Sequence, residues 1–330
     1  MTRRTADRRT ARRTLLLGLG ASLPWPGVLL AQGTGQPRRI AFLAAGMKPR
    51  PGQFSSFEAI QAGLRERGYT ALQTQTWYAD GHSDALPGLA QQVVAWKPEL
   101  IVTNLTPATL AAQRATRTIP IVMAGSGDPV ATGLVQSLSR PGGNVTGVAA
   151  LGPELAAKSV ELMHELQPGL RRLGVLAHAT DIFTAPLLAA LTRAAGVLGL
   201  ELLVERVREP TEYAAVFEGW SQQRVDAVFV QPSLPGRPAA EMALRHRLPA
   251  GSFVRSFVEQ GGLVAYTTDL AETARLVVDI VDRILRGASP ATLPVLQNSR
   301  FDLLLNLRTA QALKLKIPPT LLARATEVLE

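Results

Sequence analysis

The stretch GSGDPVATGLVQSLSRPGGNVTG, residues 125–147, decides how the rest of the chain is organised. It follows an apolar run that ends at Met123. Within it, Asp128-Pro129 is typical of a helix start, whereas Pro141-Gly142-Gly143 is typical of a tight turn. The pattern predicts a strand, a polar loop, a helix and a turn in that order. An acid and several backbone N–H groups then lie at the carboxyl end of a strand, where open α/β sheets bind ligands.

Short apolar runs alternate with segments of helical period from residue 38 onward. The runs at 39–45, 72–78, 100–103 and 119–123 predict strands, and the segment with Phe57, Ile60 and Leu64 at spacings of three and four predicts a helix. Thr106-Pro107 predicts the start of another helix, with Thr106 as its N-cap. This alternation predicts an α/β fold with a parallel sheet covered on both faces.

The second half of the chain repeats the plan of the first. The segment RRLGVLAH at 171–178 matches RRIAFLAA at 38–45, Gly199 matches Gly68, and VDAVFVQ at 225–231 matches ELIVTN at 99–104. Three matches in the same order indicate two similar α/β domains. Two further strand–helix units, beginning near Leu263 and Phe301, indicate that the chain returns to the first domain and crosses again. Discontinuous domains of this kind hinge around a cleft.

Composition excludes several classes of site. The chain has 330 residues, of which 46% are hydrophobic and 18% charged, which suffices for two domains with full cores. The absence of cysteine excludes disulfides, thiolate metal sites, a cysteine nucleophile and a lipid-modified N-terminal cysteine. The four histidines lack metal-ligand spacing, and neither a P-loop nor a G-x-S-x-G elbow occurs. We therefore expect no catalytic residue, metal or cofactor, and an α/β enzyme acting on a small polar substrate is the alternative.

The net charge of +9 is concentrated at the start of the chain. Residues 1–32 contain six arginines and one aspartate, so the remaining surplus of four is spread too thinly to predict a nucleic-acid partner. The arginines precede an apolar run and Ala31-Gln32, which predicts an export signal peptide over residues 1–31, cleaved to leave a periplasmic protein. RRTLL at 12–16 resembles a twin-arginine signal, and general secretion is the alternative. An uncleaved anchor needs about 20 uninterrupted apolar residues, and Pro24 and Pro26 break the run.

The motif DPVxxGLVxSLxxPGGNVTG, from Asp128 to Gly147, resembles the signature of a bacterial family of ABC-transporter substrate-binding proteins. This family includes relatives of the tryptophan- and tyrosine-binding component of amino-acid importers. Four further stretches also resemble this family, namely TPA at 106–108, FVEQGGL at 257–263, GASPATLP at 287–294 and IPPTLLARATEVLE at 317–330. The resemblance covers nearly all of residues 38–330.

This resemblance implies the type I periplasmic-binding-protein architecture, in which two doubly wound, Rossmann-like parallel-sheet domains are joined by a three-segment hinge. We expect one lobe at 38–147 plus about 267–294 and the other at 148–266 plus about 295–330. A small ligand would close the domains, and the closed form would dock, as a monomer, on an ABC permease in the inner membrane. Aromatic or branched amino acids are favoured, and other small carboxylates, nucleosides and amides stay open. A ligand-sensing regulator of the same fold is an alternative, although the N-terminal arm lacks a helix-turn-helix domain.

Candidate ligand contacts lie where predicted strands end. An α-carboxylate suits helix N-terminal N–H groups and hydroxyls, whereas an α-ammonium needs a carboxylate. The candidates are Gly46, Thr106, Ser126 and Asp128 in the first domain, His178, Thr180, Asp181, Gln231 and Ser233 in the second, and Tyr266 and Asp269 at a hinge strand.

Several of these candidates also have a structural explanation. Asp128 and Asp269 are typical turn or helix caps, Gly46 and Ser126 are ordinary turn residues, and His178 suits a buried structural role. Four aromatic residues are candidates for an apolar pocket wall, with core packing as the alternative: Phe54, Phe57, Trp77 and Phe183.

Overall fold

The computed structural model describes residues 37–50 and 55–330. The predicted export signal at 1–31 and the candidate Phe54 lie outside this part of the chain. Within it, no helix is both long enough and apolar enough to cross a membrane.

The described chain alternates strands and helices throughout. Its first half comprises β1 Arg38–Ala44, α1 Ser56–Glu66, β2 Leu72–Tyr78, α2 Leu86–Ala95, β3 Leu100–Asn104, α3 Leu105–Ala115, β4 Ile121–Ser126 and β5 Val145–Ala149. The middle comprises α4 Gly152–Leu166, β6 Arg172–His178, α5 Thr184–Leu198, β7 Glu201–Val207, α6 Tyr213–Gln222, β8 Ala227–Val230, α7 Gly236–Arg245, β9 Ala250–Ser252, α8 Arg255–Glu259 and β10 Val264–Thr268. The chain ends with α9 Leu270–Leu285, β11 Leu296–Gln297, β12 Phe301–Asn306, α10 Leu307–Ala312, α11 Pro319–Arg324 and β13 Glu327–Leu329.

The strands form two sheets with the same internal order. The first sheet runs β11-β5-β4-β3-β1-β2 and is parallel throughout, whereas the second runs β13-β12-β10-β9-β8-β6-β7. In the second sheet, β12 pairs antiparallel with β10 and the other strand pairs are parallel. The order β5-β4-β3-β1-β2 in one sheet equals β10-β9-β8-β6-β7 in the other. The predicted fold of two doubly wound α/β domains is confirmed.

Burial explains why the central strands are continuous apolar runs. β5 is buried along its whole length, and β3 up to its last residue, because helices cover both sheet faces. The edge strands β2 and β7 are instead partly exposed and carry polar or charged residues, which discourages pairing with another chain.

The chain passes between the sheets three times, after β5, after β10 and after β11. After β10 it enters α9, which packs on α1 of the first domain. Leu296 and Gln297 then pair with Val148 and Ala149, so the first sheet continues to Gln297, a few residues beyond the expected boundary at 294.

A carboxylate on α9 holds the second and third crossings together. Glu272 accepts hydrogen bonds from the backbone N–H groups of Ser299 and Arg300 at 3.0 and 2.9 Å, and from the Ser299 hydroxyl at 2.6 Å. The Ser299 hydroxyl is the main reason that the pKa of Glu272 falls to about 2. Nearby, the Asn298 amide donates to Thr273 at 2.9 Å and to the Asp269 carbonyl at 3.3 Å.

Two local predictions are wrong. No helix follows Asp128, because the chain from there to residue 144 forms successive turns. Gly133 adopts a left-handed φ of +69°, and the Gln136 N–H donates to the Pro141 carbonyl instead of to a preceding helical turn. Thr106 is not an N-cap, since α3 begins at Leu105, and its hydroxyl instead accepts the N–H of Gly127 at 3.2 Å.

Candidate functional site

The two domains enclose a cleft at the carboxyl ends of their central strands. In each doubly wound sheet the chain winds in opposite directions on either side of one strand pair, β1/β3 in the first sheet and β6/β8 in the second. Such a reversal leaves a crevice outside the strand ends. The two crevices face each other across a cavity of about 210 Å³, which is the scale of a single small metabolite.

The domains touch at the edges of this cleft through glycines. A Cβ on Gly81 would lie 2.7 Å from the Pro235 ring of the other domain, and a Cβ on Gly127 would collide with the Phe183 ring. A Cβ on Gly152, at the first crossing, would likewise lie 2.5 Å from Phe183. The Phe183 ring can pack this closely only because residues 127 and 152 are both glycine and have no side chain.

Aromatic rings from both domains line the cleft. Phe57 and Tyr78 of the first domain have ring centroids 6.4 Å apart, and Phe183 and Phe253 of the second form an edge-to-face pair at 6.2 Å. Burial is the main cause of the raised pKa of Tyr78, so its phenol stays protonated. Trp77, by contrast, packs in the first-domain core against Trp96. Phe57 and Phe183 combine core packing with a place in the cleft wall.

Asp181 lies in the cleft lining and is held by two hydrogen bonds. One carboxylate oxygen accepts the Phe183 N–H at 2.9 Å, and the other accepts the Gln231 amide at 2.9 Å. Gln231 cannot rotate freely, because its carbonyl oxygen accepts the N–H of His178 at 2.9 Å and the Thr184 hydroxyl at 3.0 Å. The network fixes a negative charge at the second-domain wall.

His178 is a buried part of this network. Its Nδ1 accepts the Thr180 N–H at 3.2 Å, which requires that this nitrogen carry no proton. Burial is the largest effect on the pKa of His178 and lowers it, while Asp181 and Asp84 oppose the decrease. The ring is therefore neutral near pH 7, and with Thr180 it lines a neighbouring groove rather than the main cleft.

The first-domain wall presents two helix N-termini. Ser55 and Ser56 lie where α1 begins, and Asn104 and Thr106 lie where α3 begins, and all four line the cleft. Helix N-termini carry a partial positive charge and backbone donors, so this wall favours a negatively charged group. It lies opposite the wall that carries Asp181.

Arg255 also lines the cleft, but its charge is engaged elsewhere. Its guanidinium donates to both carboxylate oxygens of Glu327, at 3.0 and 2.6 Å, and lies 3.6 Å from Glu259. The bond to Glu327 is the main cause of the raised pKa of Arg255. Burial raises the pKa of Glu259, and Arg255 opposes that increase. The C-terminal strand β13 thus anchors one edge of the cleft.

Five of the predicted ligand contacts line the main cleft, namely Gly46, Thr106, Asp181, Gln231 and Ser233. The other six do not, namely Ser126, Asp128, His178, Thr180, Tyr266 and Asp269. The structure thus brings together residues that follow β1, β3, β6 and β8.

Local hydrogen bonds and packing account for the residues that lie elsewhere. Ser126 is fully buried, with its hydroxyl 3.0 Å from that of Thr109. Asp128 accepts the Ala131 N–H at 2.9 Å and so holds a turn. Asp269 caps α9, and the Tyr266 ring stacks on Phe301.

Several lining residues were not predicted from the sequence. They are Ser55, Tyr78, Asn104, Phe253, Arg255 and Gln260. Tyr78 and Asn104 end strands β2 and β3, so applying the strand-end rule to every strand would have found them. Phe253 follows β9, which has only three residues and therefore leaves no periodic signal.

No metal centre is formed by the described residues. Among 37–50 and 55–330, no group of three or more His, Asp or Glu side chains is placed to hold an ion. The polar groups of the cleft are instead the Asp181 carboxylate, the Arg255–Glu259 ion pair, two helix N-termini, hydroxyls and amides, which suits a small zwitterionic molecule.

Comparison with known proteins identifies similar chains. The family model described as ABC transporter substrate binding protein matches residues 49–329. A tyrosine-binding protein of Clostridioides difficile is 25% identical over 260 residues, covering 77% of this chain and 74% of that protein.

Two solved structures share the fold at 26% sequence identity, each covering 88% of this chain and 99% of the other. One is an ABC domain from Streptococcus pneumoniae in complex with L-Trp, with a TM-score of 0.78. The other is a conserved domain protein from Vibrio cholerae, with a TM-score of 0.79.

Proposed function

This chain belongs to the family of ABC transporter substrate-binding proteins, and we propose that it captures one aromatic amino acid in the cleft between its domains. The observation that carries the proposal is the pair of aromatic walls, with Phe57 and Tyr78 on one domain and Phe183 and Phe253 on the other. A flat ring between them gains both apolar burial and favourable ring–ring geometry. Branched amino acids bury less area there, so we rank them below aromatic ones.

The ammonium of the ligand pairs with Asp181 in this proposal. The Asp181 carboxylate lines the cleft and accepts a hydrogen bond at each oxygen, so binding requires little further ordering of this side chain. An ionised partner makes such a hydrogen bond about twice as strong as a neutral one.

The carboxylate of the ligand faces the opposite wall. The N-termini of α1 and α3 converge there with the hydroxyls of Ser55 and Thr106. Because the ammonium site belongs to one domain and the carboxylate site to the other, a zwitterion bridges both domains and stabilises their closure. A ligand lacking either charge would favour closure less.

Delivery to an ABC permease is the transport step that we propose, with import into the cell as its direction. We further propose that residues 1–31 act as a cleaved export signal, that the protein works in the periplasm, and that it is monomeric. The three crossings that join the two lobes form the hinge for closure. The family membership supports a role outside the cytoplasm.

Isothermal titration and thermal unfolding with the twenty amino acids test the binding proposal. A ligand at one hundred times its Kd raises the unfolding free energy by about 2.7 kcal/mol. We expect this for tryptophan, tyrosine or phenylalanine, with smaller increases for leucine and isoleucine, and for the des-amino analogues of the aromatic amino acids at equal concentration.

The ligand should be recovered unchanged from the protein by mass spectrometry, as reversible capture requires. If no aromatic amino acid shifted the unfolding temperature, the proposal would be wrong. Steady consumption of the ligand by purified protein would indicate an enzyme instead.

A further inference from the structure

A small side cavity of about 40 Å³ opens beside the cleft. Gly46 and Met47 of the first domain line both spaces, as do Gln231, Ser233 and Gln260 of the second. Gly81, which touches Pro235 across the domain boundary, lines the side cavity as well. The cavity is therefore bounded by both domains and shares part of its wall with the cleft.

Two buried polar atoms at this cavity make no hydrogen bond with the described residues. They are the Ser233 hydroxyl oxygen and the Gln260 carbonyl oxygen. Ser233 is only 5% exposed, so bulk water does not satisfy it. Buried polar groups in folded proteins are almost always hydrogen-bonded. Two unsatisfied oxygens on residues that line the same small space therefore point to a polar group that enters it.

The chemistry of the two atoms specifies that group. The Gln260 oxygen can only accept, whereas the Ser233 hydroxyl can donate or accept. A ligand hydroxyl donates to Gln260 and accepts from Ser233, so it satisfies both at once. An indole N–H satisfies Gln260 alone, and a phenyl ring satisfies neither.

Gly236 keeps space open around the Gln260 oxygen. A Cβ at Gly236 would lie 2.8 Å from that oxygen and 3.1 Å from the Phe257 ring. The first of these atoms is the end of a flexible side chain, so an alanine would displace the amide without disturbing the backbone. Gly236→Ala therefore displaces the Gln260 oxygen at the side cavity without replacing either polar side chain.

We infer that the side cavity, with Ser233 and Gln260, is a specificity subsite for the hydroxyl of an aromatic ligand. This inference rests on the proposed function and narrows it to a phenolic amino acid such as tyrosine. A site with paired polar groups discriminates against a ligand that lacks the matching hydroxyl, because those groups are then left unpaired.

The test compares the affinities of tyrosine and phenylalanine by isothermal titration of the full chain. Wild type should bind tyrosine roughly 10- to 100-fold more tightly. Ser233→Ala and Gln260→Met should each reduce this ratio about tenfold, mainly by weakening the binding of tyrosine. Gly236→Ala should lower the ratio in the same direction.

Ser221→Ala is the matched control. Ser221 lies on an exposed part of α6 and lines neither cavity, and its hydroxyl contacts the His246 ring. This variant should keep the wild-type ratio. Circular dichroism and the unfolding temperature without ligand establish whether each variant folds. If Ser233→Ala does not fold, Gly236→Ala still tests the subsite.

Equal binding of tyrosine and phenylalanine to wild type would overturn the subsite, because an ordered water would then satisfy the two atoms. A ratio that survives in all three cavity variants would overturn it too. Both results leave aromatic capture intact. Failure of every aromatic amino acid to bind would instead remove the proposed function and the subsite together.

Discussion

Replacing Asp181 with asparagine separates the charge of this residue from its shape. The asparagine oxygen can still accept the Phe183 N–H, but its amide then faces the Gln231 amide, and two donors meet. Gln231 cannot turn to relieve this contact, because His178 and Thr184 hold its oxygen. A buried donor left unpaired costs about 1–3 kcal/mol, so the ligand-free protein should unfold at a lower temperature.

The expected loss of affinity comes from the missing charge. A hydrogen bond to a charged group contributes about 1.5–3 kcal/mol, which corresponds to a roughly 10- to 150-fold weaker Kd for an aromatic amino acid. Titration with tryptophan and with 3-indolepropanoate, which lacks the ammonium, isolates this term. Wild type should strongly prefer tryptophan, whereas Asp181→Asn should bind the two ligands almost equally.

Asp128→Asn is the control for this prediction. Asp128 also follows a strand and accepts one backbone N–H, from Ala131, yet it does not line the cleft. Its replacement should leave the affinity unchanged and lower stability by about 1 kcal/mol or less. If Asp181→Asn folded and kept its preference for tryptophan over the des-amino analogue, Asp181 would not be the ammonium partner. Loss of affinity in Asp128→Asn would equally contradict the reasoning.

Two further predictions concern the hinge and the first sheet. Gly147 has a φ of +136°, and a Cβ there would collide with the Met123 backbone. Gly147→Ala should therefore lower the unfolding free energy, measured in urea, by more than about 3 kcal/mol. A Cβ at Gly143 would meet no atom within 4 Å, so Gly143→Ala should change the unfolding free energy little. Equal effects of the two would disprove this account. The pKa of Glu272 is about 2 in the folded protein and ordinarily 4.5, so its stabilising effect is complete above pH 4.5 and is lost as the pH falls toward 2. The difference in unfolding free energy between wild type and Glu272→Gln should therefore shrink between pH 4.5 and 2, and a difference that is constant over this range would contradict it.

Most strands and long helices could be predicted from the sequence, because their signals are local. The predicted strand at 72–78 coincides with β2, and the strand–helix unit predicted near Phe301 begins with β12. Ala274, Val277 and Val281 recur at helical spacing, and all three are buried on α9. β9 and β13 are too short for a period to be read.

The stretch 125–147 illustrates where local pattern fails. Its Asp-Pro start and apolar residues suggest a helix, but the chain forms turns and bends instead, and Leu134 and Val135 are both buried in the first-domain core. The Leu134 carbonyl accepts the Gln113 side chain at 2.9 Å, so a distant residue satisfies the backbone that a helix would have satisfied. Non-local packing therefore outweighs local propensity here.

The sequence by itself determined the two repeated α/β domains, the family resemblance and the set of strand ends from which a site is built. Only the tertiary structure decided which of the predicted acids lines the cleft. Asp128 and Asp181 both follow strands, but the first is satisfied by a residue three positions away, whereas the second is oriented by Gln231, fifty positions away. A side chain's direction depends on partners brought together by the fold, and spacing along the chain does not encode those contacts.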